Sequence, residues 1–446
     1  MDGAWSKARS VVERLRKAGH SAYFAGGVVR DYLLFGSAES ADIDIATSAT
    51  PAEIAAAFPR SYDVGAAFGV VNVVVDGAVF EVATYRSERG YSDGRHPDEV
   101  EYSDTPEIDA LRRDFTINAM FLDPISGEVL DTVGGRCDLD RGIIRTVGDA
   151  SERIAEDYLR IMRAVRFSNR FAFAMDPELE RAIRANLEGL RSLSAERVRD
   201  ELTKIFLGPR PGRALWKMAE LGILGVVLPE IDAMRGVPQP KKYHPEGDVF
   251  THTALMLDML AMPDVESAWA ALSHDVGKPS TLHIGEDGIE RFHCHANVGA
   301  EIADGIMRRL KFPNKTRGAV VQAVKGHMRV ASAVDMRPAK LRRFLAEPTF
   351  PLELELHRVD CRASHSKMDV YVFLLDTVAE MENEVELPPP PLNGRDIIAL
   401  GVSEGPEVGK ILKTLVDMRL EGEIPTRDDA LETARRLAAD LSDAKR

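Results

Sequence analysis

The sequence predicts an α+β protein: a mixed head over residues 1–150, then helices to the end. Three observations lead there. Over the first 150 residues, helix-period and strand-period hydrophobicity alternate. Beyond them apolar residues recur at helical spacing, as in "ERIAEDYLRIMRAVRFSNRF", and no strong strand signal follows. With 446 residues the chain exceeds one ordinary core, so two to four domains are expected. We divide it at 1–150, 151–240, 241–375 and 376–446.

The elements follow in order. A helix over about residues 4–18 ends at Gly19, a C-cap signal. The strand "SAYFA" leads through Gly26-Gly27 into a helix from Val28 to about Phe35. "DIDIA" is the next strand. Thr50 and Pro51 then open a helix as N-cap and first residue. "GVVNVVVDGAVFEVATY" is a hairpin turning at Asp76-Gly77. Residues 85–109 read as a long polar loop. The Pro-rich "ELPPPPLNG" (386–394) is a rigid spacer before the last helices.

Composition narrows the classes. Apolar residues make up 45% and charged residues 29%, the balance of a soluble globular protein. No apolar run reaches the roughly 18 residues a membrane span needs, so no membrane is expected as a partner. The N-terminal "MDGAWSKARSVVERLRKAG" reads as an amphipathic helix without an apolar signal core. Three scattered cysteines, Cys137, Cys294 and Cys361, fit a reducing cytoplasm and no disulfide framework. The net charge of −14 argues weakly against a nucleic-acid partner, but its distribution matters more. Between Arg308 and Arg343 lie eleven Lys or Arg residues against one acid, Asp335. Such a run is either a solvated helical surface or a track for phosphates.

Two constellations carry chemistry. In the first, "FAGGVVRD" sets Gly26-Gly27 between strand and helix, where backbone and helix N-terminus can approach a phosphate; Arg30 and Asp31 follow. Asp42 and Asp44 fall on one face of a strand, because side chains alternate, while Ile43 and Ile45 face the core. Two such carboxylates can share Mg²⁺. "LRRDFTINAMFLDP" brings Arg112 and Arg113, suited to phosphate oxygens, beside Asp114, able to accept a ribose hydroxyl. Asp157 and Arg160 stand three apart in "EDYLR", which predicts one helical face able to meet a base edge. In the second constellation His252, His274-Asp275, His295, His327 and Asp360 gather imidazoles and carboxylates suited to a divalent cation.

The first set, in this order and with Asn118 and Arg163 in register, strongly resembles class II CCA-adding tRNA nucleotidyltransferases over about residues 20–170. Bacterial poly(A) polymerase is a close relative of that family. The resemblance implies a polymerase-β-like palm head, a helical neck, a body and a tRNA-binding tail. It implies Asp42 and Asp44 as catalytic Mg²⁺ ligands. Gly26, Gly27, Arg30, Arg112, Arg113, Asp114, Asn118, Asp157, Arg160 and Arg163 would bind the nucleotide. Asp157 and Arg160 would read C and A in place of a template. The reaction implied is attack of an RNA 3′-hydroxyl on the α-phosphate of CTP or ATP, with release of pyrophosphate. Partners are then tRNA, ATP and CTP; nothing in the sequence calls for an obligate protein partner.

Segment 62–75 lacks the basic run associated with poly(A) polymerase. The 85–109 loop, with Arg89 and Arg95, matches the family's flexible loop for A addition, which argues against a CC-only enzyme. "HDVGKP" and its flanking histidines resemble the HD phosphohydrolase superfamily. That likeness implies His252, His274, Asp275 and Asp360 as ligands for Mg²⁺, Mn²⁺, Ni²⁺ or Co²⁺, with His295 and His327 as candidates for a second ion. The activity implied is phosphatase or 2′,3′-cyclic phosphodiesterase. In the tail "GPEVG" (405–409) is similar to the family's grip on the tRNA elbow. Three other readings stay open: an A-adding enzyme, a poly(A) polymerase, and a metal phosphohydrolase whose head only binds RNA.

Overall fold

The computed structural model describes residues 3–36, 43–65, 69–90, 99–383, 391–420 and 423–443. Contacts group the chain into two compact units, Met1–Ala233 with Arg308–Phe312, and Met234–Met307 with Pro313–Arg446.

The first unit opens with α1 (Gly3–Lys17), which buries Ala8, Val11, Val12 and Leu15 on one stripe. Each buried Val or Leu there contributes about 1.5–3 kcal/mol. β1 (Ala22–Ala25), α2 (Gly27–Phe35), β2 (Asp44–Thr47) and α3 (Pro51–Ala57) follow. The α3 start has a reciprocal cap: Thr50 accepts from the Glu53 N–H, and Glu53 accepts from the Thr50 N–H at 2.8 Å. Next come β3 (Ser61–Gly65), β4 (Val70–Val75) and β5 (Ala78–Thr84). The β4–β5 turn is Asp76-Gly77 with φ of 47° and 78°, left-handed at both central positions as a twisted two-residue hairpin requires.

Segment 85–109 is not all loop. β6 (Arg86–Arg89) pairs antiparallel with β7 (Glu99–Tyr102), and α4 (Pro106–Leu111) follows. Polar side chains on both faces hid the strands, because this two-stranded ribbon buries little. β8 (Phe121–Leu122), β9 (Val129–Leu130), α5 (Gly135–Arg141) and β10 (Ile143–Ile144) complete the α+β part. The main sheet runs β3-β4-β5-β2-β1-β8-β9; β2 and β5 are parallel, the other neighbours antiparallel. Ala25, Ala46, Tyr85, Phe121 and Val147 form a core cluster in this part.

The chain then turns helical: α6 (Ala150–Glu156), α7 (Leu159–Phe171), α8 (Pro177–Ala185), α9 (Ala195–Phe206), α10 (Pro211–Leu221), α11 (Ile223–Val227) and α12 (Pro229–Asp232). A short β11 (Ala174–Met175) between α7 and α8 pairs with β10.

The second unit holds α13 (Val249–Met259), α14 (Val265–Ser273), α15 (Lys278–Thr281), α16 (His295–Arg309), α17 (Asn314–Val330), α18 (Pro338–Leu345), α19 (Phe350–Ala363) and α20 (Asp369–Asn383). Strands after residue 150, unexpected from the sequence, also include the hairpin β12 (Leu282–Ile284) and β13 (Glu290–Phe292). Its three-residue strands are too short for period-two hydrophobicity to register. α21 (Gly394–Ala399), α22 (Pro406–Leu420) and α23 (Arg427–Asp443) close the chain around Leu392, Ile397, Ile411 and Leu415. A glycine turn from Gly401 to Gly405 separates α21 from α22. Much of the Pro-rich spacer lies outside the described residues.

Candidate functional site

A cavity of about 730 Å³ lies in the first unit, lined by seven arginines and four acids together with the Gly26-Gly27 turn. Gly26 links β1 to α2 at φ +74°, and a Cβ there would stand 3.2 Å from Arg113 Nη1 and 3.6 Å from Asp44 Oδ2. The position therefore calls for glycine by its backbone conformation. Gly27 begins α2, whose first N–H groups are donors available to an anion. Asp44 begins β2 and is exposed to the cavity, while Ile43 and Ile45 are 3% and 1% exposed. The alternation of charge and apolar anchor in "DIDIA" thus has its expected sense at Asp44. Asp42 lies outside the described residues, as does Arg95; Arg89 lies in β6 and its side chain is not described.

Arg112 and Arg113 share one buried carboxylate that sequence reading did not single out. Asp109, 1% exposed, accepts from Arg112 Nε at 2.7 Å and from Arg113 Nη2 at 2.9 Å. Burial opposes its charge, but the two guanidiniums prevail and hold its pKa below the ordinary carboxylate value. The signal was present: an acid three and four residues before paired arginines at a helix end.

Asp114 is bound from every side. Oδ1 accepts from the Phe115 N–H at 2.8 Å and from Asn118 Nδ2 at 3.1 Å; Oδ2 accepts from Arg163 Nε at 2.8 Å. Against the cost of burial, these contacts lower the Asp114 pKa, and Asp114 raises that of Arg163. Arg30 Nη1 donates to Asn118 Oδ1 at 2.6 Å, which fixes which end of the amide faces Asp114. Arg30 itself pairs with Asp31 and lies over the Phe171 ring at 4.5 Å.

Asp157 and Arg160 both line the cavity, but they do not share a helix. α6 stops at Glu156; Asp157 is extended, with φ −149° and ψ 103°, and α7 starts at Leu159. The Asp157 side chain takes over as a local cap, accepting from the Leu159 N–H at 3.0 Å. That competing bond is the physical reason helical spacing misled here. The two side chains also pair elsewhere. Asp157 accepts from Arg197 Nη2 at 2.7 Å, and Arg160 donates to Glu156. Arg86, Glu88 and Arg197 line the cavity too and carry no motif in the sequence.

The histidine cluster forms in the second unit. His252 is on α13, His274-Asp275 directly follow α14, His295 opens α16, His327 is on α17 and Asp360 on α19. His252, His274 and Asp275 are at most 2% exposed. Each Nδ1 faces an oxygen that can only accept: Glu246 at 2.6 Å for His252, Ala271 O at 2.8 Å for His274, Phe292 O at 2.9 Å for His295, Val324 O at 2.6 Å for His327. Each Nδ1 therefore carries the proton, and each Nε2 turns inward. His274, His295 and His327 Nε2 stand 3.0, 3.6 and 3.9 Å from Asp275 oxygens, and His252 Nε2 is 3.1 Å from Asp360.

The Nε2 atoms of His252 and His274 are buried without a hydrogen-bond partner, although carboxylates lie at contact distance. The His295 and His327 Nε2 atoms face one another at 3.2 Å. Two facing lone pairs repel unless a proton or cation lies near them. Burial opposes a charged His252, yet Asp360 and Glu246 lift its pKa to about 9, the mark of a site rich in negative charge. Burial drives His327 down to about 4, so its lone pair is available. This donor set fits one or two divalent cations, with Asp275 between the two groups. Lys278 Nζ, 2.7 Å from Asp275, and the Glu246 support of His252 were not foreseen.

Known families match in three segments: the poly A polymerase head domain at residues 22–145, a probable RNA-binding site of polymerase A at 172–235, and the HD domain at 248–358. A CCA-adding enzyme of Lactiplantibacillus plantarum is 30% identical over 97% of this chain and 96% of its own. The chain belongs to the CCA-adding enzyme family of tRNA nucleotidyltransferases. An A-adding member of Deinococcus radiodurans is 33% identical over 94% of this chain and 95% of its own. Other CCA-adding enzymes match over shorter stretches, and the chain spans 54 to 65% of their length. The crystal structure of the Bacillus stearothermophilus CCA-adding enzyme with CTP aligns at TM-score 0.73 and 30% identity, covering 98% of this chain and 99% of the other.

The nucleotidyltransferase fold thus brings Gly26, Gly27, Arg30, Asp44, Arg112, Arg113, Asp114, Asn118, Asp157, Arg160 and Arg163 to one cavity. His252, His274, Asp275, His295, His327 and Asp360 meet in the HD domain. Five cations of the basic run 308–343 have acidic partners. Arg309 pairs with Glu230, Lys311 with Glu196, Arg317 with Asp304, Arg329 with Glu347 and Glu353, and Arg343 with Asp417. Glu196, Glu230 and Asp417 come from distant parts of the chain, which a local charge count cannot see, whereas Asp304, Glu347 and Glu353 flank the run. Among the described residues no helix is long and apolar enough to cross a membrane.

Proposed function

We propose that this chain adds CCA, or its terminal part, to tRNA 3′ ends from CTP and ATP without a template, in the cytoplasm. The convergence of phosphate donors, a metal-type carboxylate and a base-edge pair in one arginine-lined cavity carries this reading. Asp42 and Asp44 would hold Mg²⁺, which when bound activates the RNA 3′-hydroxyl and steadies the leaving pyrophosphate. Arg112 and Arg113, pre-oriented by Asp109, bind the triphosphate with the α2 N-terminus. Asp114, whose oxygens are filled by the Phe115 N–H, Asn118 and Arg163, would accept from the ribose by giving up one of those bonds. Asp157 and Arg160 meet the base edge. We also propose a four-part division into head (1–150), neck (151–240), HD body (241–375) and tRNA-binding tail (376–446). The test uses tRNAs ending at the discriminator base, at C and at CC, each with CTP, ATP or both. Products ending in CCA from the first substrate support full CCA addition. Extension of the CC form alone indicates A addition, as in the Deinococcus relative's name; long A tails would point to poly(A) polymerase. No incorporation would sink the reading.

A second reading concerns the body. We propose that the HD site is a phosphohydrolase acting on phosphomonoesters or 2′,3′-cyclic phosphates at RNA ends. Four inward Nε2 atoms around Asp275 support it. His252, His274, Asp275 and Asp360 would hold a first divalent ion, His295 and His327 a second, which when bound supply an activated water. Hydrolysis of bis(p-nitrophenyl) phosphate with Ni²⁺, Co²⁺, Mn²⁺ or Mg²⁺, lost in His274→Ala with Asp275→Ala, is expected. No hydrolysis with any of the four would leave the domain a scaffold.

A further inference from the structure

We infer that Arg197, on α9, sets the base specificity of the head by fixing the Asp157 carboxylate. The inference rests on the reading of Asp157 as a base-edge contact. Asp157 sits in an extended break between α6 and α7, so helical backbone bonds do not fix its direction. Its oxygens are held from two sides: Oδ1 by the Leu159 N–H at 3.0 Å, Oδ2 by Arg197 Nη2 at 2.7 Å. The backbone bond alone leaves the carboxylate free to turn; the guanidinium, forty residues away in the chain, removes that freedom.

Arg197 is itself well anchored. It lies in the first turn of α9, which Ser194 caps by accepting from the Arg197 N–H. The pair of Arg166 with the buried Glu201, at 2.9 Å, ties α9 to α7. Both Arg197 and Asp157 side chains are 20% exposed, so their charge-assisted bond is partly shielded from water.

The consequence follows from base chemistry. Each carboxylate oxygen accepts two hydrogen bonds, so Oδ2 keeps one lone pair after Arg197 is satisfied. Cytosine and adenine present an exocyclic amine, a donor; uracil and guanine present a carbonyl at the equivalent place, an acceptor. An acceptor held in place rewards the amine and leaves the carbonyl facing a lone pair. In this inference Arg197 acts through Asp157, as a positioning residue. A carboxylate that can swing away discriminates less.

The test measures kcat/KM for CTP against UTP on tRNA ending at the discriminator base, and for ATP against GTP on tRNA ending in CC. Arg197→Met, Arg197→Lys and Asp157→Ala are compared with the parent, and thermal midpoints are recorded. Arg197→Met is expected to narrow the amine-over-carbonyl ratio about tenfold or more, through loss of the amine substrate. Arg197→Lys should fall between, since an ammonium can still donate to Oδ2 but lacks the rigid plane that aims the guanidinium. If Arg197→Met slows both partners of a pair in equal proportion, Arg197 is merely structural and the inference is overturned. If Arg197→Met does not fold, a parental ratio in Arg197→Lys overturns it instead. Asp157→Ala separates the two levels. Collapse of the ratio in Asp157→Ala but not in Arg197→Met defeats the Arg197 inference alone; an unchanged ratio in Asp157→Ala defeats the base-edge reading itself.

Discussion

Replacing Asp109 with asparagine should unsettle two arginines at once. The carboxylate is 1% exposed and stands 2.6–3.2 Å from guanidinium nitrogens of Arg112 and Arg113. Asparagine keeps the shape but turns one oxygen into a donor, which then faces a guanidinium that can only donate. Removing one partner of a buried ion pair costs about 3–5 kcal/mol. Both arginine side chains are 18% exposed, so water recovers part of that, and the lower end, about 3 kcal/mol, is the better figure. With an m-value of about 2 kcal/mol/M, the urea midpoint of the first unit should fall by about 1.5 M. The assay is urea unfolding followed by circular dichroism, beside KM for ATP and CTP. Arg112 and Arg113 would lose their fixed aim, so KM should rise about tenfold or more. An unchanged midpoint together with an unchanged KM would refute the reasoning, because the shared carboxylate would then hold nothing.

Other expectations concern different parts of the molecule. Gly277→Ala would bring a Cβ within 2.3 Å of the His295 carbonyl oxygen and 2.6 Å of the Gly299 nitrogen; the backbone must shift, costing the second unit about 1–3 kcal/mol, read as a lower thermal midpoint. Asp109 and Asp114 both have folded pKa values depressed below 3.8. Their contribution is complete above that ordinary value and is lost as pH falls through the lower folded ones, so acid titration of Asp109→Asn should show a shallower stability loss below about pH 4. After incubation with Ni²⁺ or Mn²⁺ and desalting, metal analysis should find less bound ion in His274→Ala with Asp275→Ala, while nucleotide incorporation persists. Equal metal content would remove those residues from the ligand set.

Local rules were legible where local chemistry decides. Thr50 and Glu53 cap α3 as their spacing demands, and Asp76-Gly77 turns the hairpin because both positions tolerate positive φ. The candidate cavity was legible in its motifs, since glycine turns, paired arginines and spaced carboxylates have few cheap alternatives. What escaped depends on partners far along the chain. Arg197 meets Asp157, Glu246 supports His252, and Glu230 or Asp417 neutralise parts of the basic run only after folding. The break at Asp157 escaped for another reason. No Gly or Pro announces it; one carboxylate captures an N–H that a continuous helix would have used.

The cavity wall has one more property. All seven of its cations are arginine, and no lysine or histidine lines it among the described residues. Guanidinium keeps its proton up to strongly alkaline pH, so the wall's positive charge stays constant across the range in which cells live. Alkaline inactivation would then have to arise elsewhere, in the substrates, the metal ions or the fold. The same composition makes the wall indifferent to acetylation and other lysine-directed chemistry. A reagent that blocks every lysine should leave nucleotide capture in the cavity intact, whereas an arginine-directed dicarbonyl should abolish it, and bound nucleotide should protect.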